Sequence, residues 1–237
     1  MISLRNAILL GLTFVFLFPS CKKNIFNKTS ILTLNISLTE SPNSNEYLKF
    51  NNGFISVSEL KINGSREEGE HLSLSKRYKD NTIINLENHS EKELDVFSIP
   101  QGLYNDLSTI LVIKSDDTNS QFSVEGTYLL FDSTSFSRKE IPILVNISFD
   151  QEIEMQGVKS GEDFIVIDAK KSTVANITFN PSYWFEPVTT YLLDNAEISL
   201  INKQSSIVIS PIQNTKIYNL IINRIQESSL ISFHQKS

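Results

Sequence analysis

The sequence predicts a mainly β fold, an antiparallel β-sandwich with one C-terminal amphipathic helix. Three features predict it. Apolar side chains recur at every second position through most of the chain, turn-forming residues interrupt them at short spacing, and only one stretch near the C-terminus repeats with a helical period. Many half-buried strands of this kind bury their apolar faces by packing as a sandwich or barrel.

In chain order, Leu32, Leu34, Ile36 and Leu38 alternate with Thr33, Asn35 and Ser37, which puts four apolar side chains on one face. Ile55 and Val57 continue as Leu60 and Ile62, and the change of parity predicts a β-bulge near Ser58 and Glu59. Further strands are expected over Glu70 to Arg77, Thr82 to Leu86, Glu93 to Ser98, Leu107 to Lys114 and Gln121 to Phe131. The cleanest alternation is Ile141, Ile143, Val145, Ile147 and Phe149. Glu152 to Gln156, Asp163 to Ile167, Thr173 to Phe179 and Ser205 to Ile209 complete the set. Asn51-Asn52-Gly53, Asn63-Gly64, Pro100-Gln101-Gly102 and Asp116-Asp117-Thr118-Asn119 read as loops between them. Ile217, Leu220, Ile221 and Ile225 recur at helical spacing, Asn214 is placed to cap and Pro211 stands outside, so Asn214 to Glu227 is expected to be helical. Its apolar stripe either docks on the sheet or is left for a partner's groove. Pro181 to Pro187 adds one short helical turn.

The N-terminus reads as an address. Arg5 is followed by the apolar run Ala7 to Phe18, which is shorter than the roughly 20 residues that span a bilayer. With Ser20 as the small residue at the cut, residues 1–20 have the form of a secretory signal peptide. Cys21, the only cysteine of the 237 residues, follows directly. Lipoprotein signal peptidases want Leu, two small residues and Cys; here Leu17 is one place early, Phe18 takes the Leu position and Pro19 replaces a small residue. The alternative is a chance cysteine in a leader, but a lone Cys in a secreted chain needs a reason and lipidation supplies one. Residues 21–30, with Lys22, Lys23 and Lys28, then form a lipidated tether, and residues 31–237 form the body. Lipid chains contribute about 0.8 kcal/mol per buried CH₂, so several of them hold a protein on a membrane. The expected location is the cell envelope, on the outer membrane of a Gram-negative bacterium.

Composition narrows the function. The net charge of −6 becomes −7 once Arg5 is removed, and no Lys/Arg cluster is longer than a pair. Nucleic acid is therefore not an expected partner. His71, His89 and His234 lack zinc spacing, and Asp116, Asp117 and Asn119 lack the Gly and distal Glu of a calcium loop. No nucleophile elbow or glycine-rich phosphate loop occurs, and no cofactor is expected. The adjacent acids Glu67-Glu68 and Asp116-Asp117 read as solvated loops. A non-catalytic binding, accessory or structural role is expected. The alternative is a hydrolase of an envelope polymer or glycan, with carboxylates gathered from distant strands. Tyr183, Trp184 and Phe185 either offer aromatic faces to a glycan or peptide or cap the core.

Ile99-Pro100-Gln101-Gly102-Leu103-Tyr104 resembles the Pro-x-Gly-x-Tyr turn of the bacterial lipoproteins that carry domain of unknown function 4382. Asp168-Ala169-Lys170-Lys171-Ser172-Thr173-Val174 is similar to their Asp-x-x-x-Ser-x-Val segment, and Gly53 to Ile62 to their strand of β-branched residues. Glu40-Ser41-Pro42 stands where members often carry Asp-Ala-Pro. The resemblance spans Ile31 to Pro187 and implies an exported β-sandwich, with no activity to carry over. Read physically, Gly102 suits a turn closed to side chains and Tyr104 covers a strand entrance, with a functional role the alternative. Asp168 and Ser172 suit turn bonds, whereas Asp168, Lys170 and Lys171 together offer an anion a contact.

If Cys21 carries the lipid, labelled fatty acid enters the wild-type protein and Cys21→Ser releases it from the membrane fraction. Equal membrane retention of the variant refutes the anchor.

Overall fold

The computed structural model describes residues 28–39, 46–114, 121–147, 151–158 and 163–236. The leader, Cys21 and most of the tether lie outside these residues, as do Glu40 to Pro42, Asp116 to Asn119 and Phe149. The strands are β1 (Thr29–Leu38), β2 (Leu48–Arg66), β3 (Leu72–Glu87), β4 (Lys92–Pro100), β5 (Gly102–Ile113), β6 (Phe122–Asp132) and β7 (Ser137–Ile147). They continue as β8 (Gln151–Val158), β9 (Ile165–Ile167), β10 (Thr173–Phe179), β11 (Ile198–Ile201), β12 (Gln204–Ile209) and β13 (Leu230–Gln235). Helices α1 (Pro181–Trp184) and α2 (Thr190–Asp194) precede β11, and α3 (Thr215–Ser228) precedes β13. No helix among the described residues is long and apolar enough to cross a membrane.

The protein is mainly β. Its strands follow the order β11-β12-β7-β6-β2-β5-β8-β13-β10-β1-β4, with β3 on β2 and β9 on β5. The expected antiparallel arrangement needs correction, because β1 with β10, β7 with β12 and β8 with β13 run parallel. Alternation reports which face a side chain takes and carries no information on strand direction.

Leu32, Leu34, Ile36 and Leu38 are buried on one face of β1, as their spacing requires. The β2–β3 ladder slips between Val57 and Glu59, where the parity change predicts a bulge. The two strands expected between Glu70 and Leu86 are one, β3. Asn51-Asn52-Gly53 and Asn63-Gly64 are not loops; both lie inside β2. A Cβ on Gly53 would collide with the Ser123 carbonyl oxygen, and one on Gly64 would lie 2.8 Å from the Tyr104 ring. Both glycines admit a close neighbour within a strand.

The two arms of the strand path meet in the core. The Phe122 ring on β6 stands 5.0 Å from Phe179 on β10, although four strands separate them along the path. Trp184 on α1 meets Phe122 edge-on at 5.7 Å, and its Nε1 donates to Ser228 Oγ of α3 at 2.6 Å. Helix α3 buries Ile217, Tyr218, Ile221, Ile225 and Ser228. At 3.6 residues per turn these five occupy an arc of roughly 100°, and Leu220 falls about 60° beyond its edge. Leu220 is accordingly 38% exposed, which corrects its place in the apolar stripe. Asn214 stands at the N-cap, as expected, but its side chain makes no capping bond to the helix. It adopts φ +52°, and its side chain exchanges bonds with the Glu197 backbone at 2.8 and 3.0 Å and donates to Val208 O at 2.8 Å.

Charges tie neighbouring elements together. Asp95 on β4 accepts from Lys76 Nζ and Tyr78 OH on β3, each at 2.7 Å, and from its neighbour Val96 N at 2.8 Å. Burial works to raise the Asp95 carboxyl, and these bonds outweigh it, holding the group below its ordinary 3.8. On the same strand β3, Ser75 and Arg77 bond the Glu59 carboxylate of β2, and the Ser75 hydroxyl leads in lowering it.

Two outcomes follow for the protein. In urea melts Ile221→Ala costs roughly 2–5 kcal/mol, whereas Leu220→Ala at the rim costs under about 1 kcal/mol. Because the folded Asp95 pKa is depressed, its stabilisation is complete above the unfolded value and is lost as pH falls through the folded one. Asp95→Asn therefore flattens the dependence of Tm on pH below 3.8, and an unchanged acid limb contradicts that assignment.

Candidate functional site

The aromatic trio near α1 is committed to structure. Trp184 is fully buried, Phe185 packs on Phe50 at 5.2 Å, and half-buried Tyr183 has the Arg224 guanidinium 4.1 Å above its ring. Asn180 caps the turn by accepting from Tyr183 N at 3.3 Å. The rings of Trp184 and Phe185 thus have no face turned to solvent, and their surface is taken up by core contacts.

The Pro100 to Tyr104 segment makes a tight corner. Gly102 takes φ +156°, a region open to glycine, and the buried Tyr104 hydroxyl donates back to Pro100 O at 2.7 Å. Burial pushes the Tyr104 phenol up to about 12, so it stays protonated. At the other singled-out turn Asp168 Oδ1 accepts from Lys170 N at 2.9 Å, and Ser172 offers its carbonyl to Lys236 N at 2.9 Å. Asp194, at the end of α2, accepts from Tyr128 OH at 2.8 Å and Phe131 N at 3.1 Å, with Arg138 at 3.4 Å. These groups hold the fold.

Concavities among the described residues include a cleft and a groove. A cleft of about 440 Å³ lies where β9 and β13 diverge past Val158, bridged by Gln235 Nε2 donating to Val166 O at 2.9 Å. Residues 159–162, which follow the cleft's lining residue Val158 in the sequence, lie outside the described residues.

The second is a groove of about 280 Å³ across β2, β6, β7 and the β11–β12 hairpin, and all its named lining lies on ordered strands and one turn. The registers place Asn52, Glu125, Leu144 and Val208 side by side on successive strands. Asn51 joins them through a second bulge, since the β2–β6 ladder slips between Phe50 and Asn52. A bulge re-aims a side chain, and here both asparagines are exposed on the groove side. Gly126 permits this close pairing, because a Cβ there would collide with the Lys49 carbonyl oxygen. On the far wall the two-residue turn Asn202-Lys203, with φ values of 50° and 68°, is of the type I′ form that suits tight hairpins. It brings Asn202 and Gln204 to the rim, while half-buried Pro142 and Leu144 form the floor.

The side chains of Asn51, Asn52, Glu125, Asn202 and Gln204 spend no hydrogen bond on another described residue. Glu125 is the one carboxylate among the described lining residues. No group of three His, Cys, Asp or Glu side chains among the described residues is placed to hold a metal ion. None of the groove residues stood out as a site in the sequence, where Asn51 and Asn52 read as loop. The chain matches no protein-family model, and no curated protein and no solved structure matches it.

Proposed function

We propose that this chain is a lipid-anchored protein of the cell envelope whose β-sandwich body binds a partner and does not hydrolyse it. The observation that carries the reading is the groove, where unspent polar side chains converge over an apolar floor. Such a surface is built to recognise. Cleaving a glycosidic bond takes a second carboxyl group facing the first across roughly 5–9.5 Å. Opposite Glu125 the rim offers Asn202 and Gln204.

The leader and Cys21 support the anchored location. The sandwich reading draws on the Phe122–Phe179 contact and on β8, which pairs β5 on one side and β13 on the other. The Tyr104 corner gives the Pro-x-Gly-x-Tyr turn a physical purpose and is in keeping with the likeness to lipoproteins carrying domain of unknown function 4382.

The test is turnover. Purified protein incubated with isolated envelope polysaccharide and with peptidoglycan is expected to release no new reducing ends. Release that Glu125→Gln abolishes overturns the reading in favour of a hydrolase.

A further inference from the structure

Resting on that binding reading, we infer that the groove takes a neutral, hydroxyl-rich ligand, a short stretch of uncharged glycan. The wall chemistry selects it. Asn51, Asn52, Asn202 and Gln204 each carry an amide that donates and accepts at once, and neighbouring sugar hydroxyls do the same. Pro142 and Leu144 offer the floor an apolar surface for the C–H face of a sugar ring.

Other ligand classes fit less well. The one charged group among the described lining residues is Glu125, which disfavours an anionic polymer; Lys203 of the rim turn is not among them. A peptide adding as a strand needs an open backbone edge. Here β2 and β6 have partners on both edges, β12 pairs β7 over Ile207–Ile209, and at the groove the next β7 residue beyond that register is Pro142, which has no N–H to give a ladder. Three strand spacings give it a length of roughly 14 Å, enough for an oligosaccharide and more than one ring requires.

The site is also held in shape before any ligand arrives. Asn51 O accepts from Asn88 N at 2.9 Å, which fixes the bulge to the segment between β3 and β4. Less ordering on binding leaves more of each contact as affinity.

Affinity electrophoresis of the full-length, detergent-solubilised protein tests this, in gels containing dextran, laminarin, mannan or polygalacturonate, or no polymer. Retardation by at least one neutral polymer is expected, reduced roughly five-fold by Asn52→Ala or Gln204→Ala, the loss of one neutral hydrogen bond. Both positions are exposed, and an unchanged melting curve verifies folding of each variant. Three results overturn the inference: no retardation by any neutral polymer, retardation that the Asn52→Ala/Gln204→Ala double variant leaves intact, or stronger retardation by polygalacturonate. Groove-dependent binding of polygalacturonate removes the ligand class and leaves the binding reading standing. Shortening of a neutral polymer that is bound removes the non-catalytic reading and leaves the ligand class.

Discussion

Strand β2 has to satisfy three neighbours along its 19 residues, β3 along one edge and first β6, then β5, along the other. The handover falls at the bulge between Val57 and Glu59. There Ser56 N donates to Gln121 O at 2.7 Å at the start of β6, and Ser58 Oγ donates to Val112 O at 2.9 Å on β5. Those bonds satisfy polar groups in a buried stretch where the ladders on that edge are interrupted. The extra residue keeps Leu60 and Ile62 on the same inner face as Ile55 and Val57; without it the second half of β2 would turn its apolar side chains outward. From β6 the path runs to β7 and β12, from β5 to β8 and β13, so both arms of the structure depend on this one join.

What was legible in the sequence was whatever a side-chain pattern encodes locally. The alternation of β1 and the parity change in β2 are written in consecutive residues, and both are found in place. Strand direction is set by connections, and the parallel partners β1 and β10 carry the same alternation that antiparallel ones would. Asn51-Asn52-Gly53 was misread because turns and bulges draw on the same residues; only the position of Ser123 on the next strand explains this glycine. Leu220 belongs to the helical period and still falls off the buried arc, since Tyr218 extends the contact on its other side. The groove was illegible for a different reason. Its walls come from residues 51–52, 125–126, 142–144 and 201–206, and no local motif joins them.

The polar side chains divide into two economies. Asp95, Asp194 and Glu59 each take two or more donors from neighbouring elements, and Arg138 stacks 3.9 Å over the Tyr47 ring while reaching Asp194. Such groups specify how strands and short helices meet. Around the groove the same chemical types are left unengaged, on a surface whose floor is fixed by buried Ile143, Val124 and Ile207 directly beneath.

The position of β1 bears on how this chain reaches its native state. Its residues are made well before those they pair with on β10, and Asn35 bonds to Asn176, 141 residues further on. Until Thr173–Phe179 exists, a strand destined for the interior has an open edge, and β13, which closes the far side of β10, comes later still. Pairings of such high contact order form slowly. The topology thus acts as a timer: until β10 is made, β1 lacks one of its two partners, and a product truncated before β10 keeps that edge open, an exposure that favours aggregation.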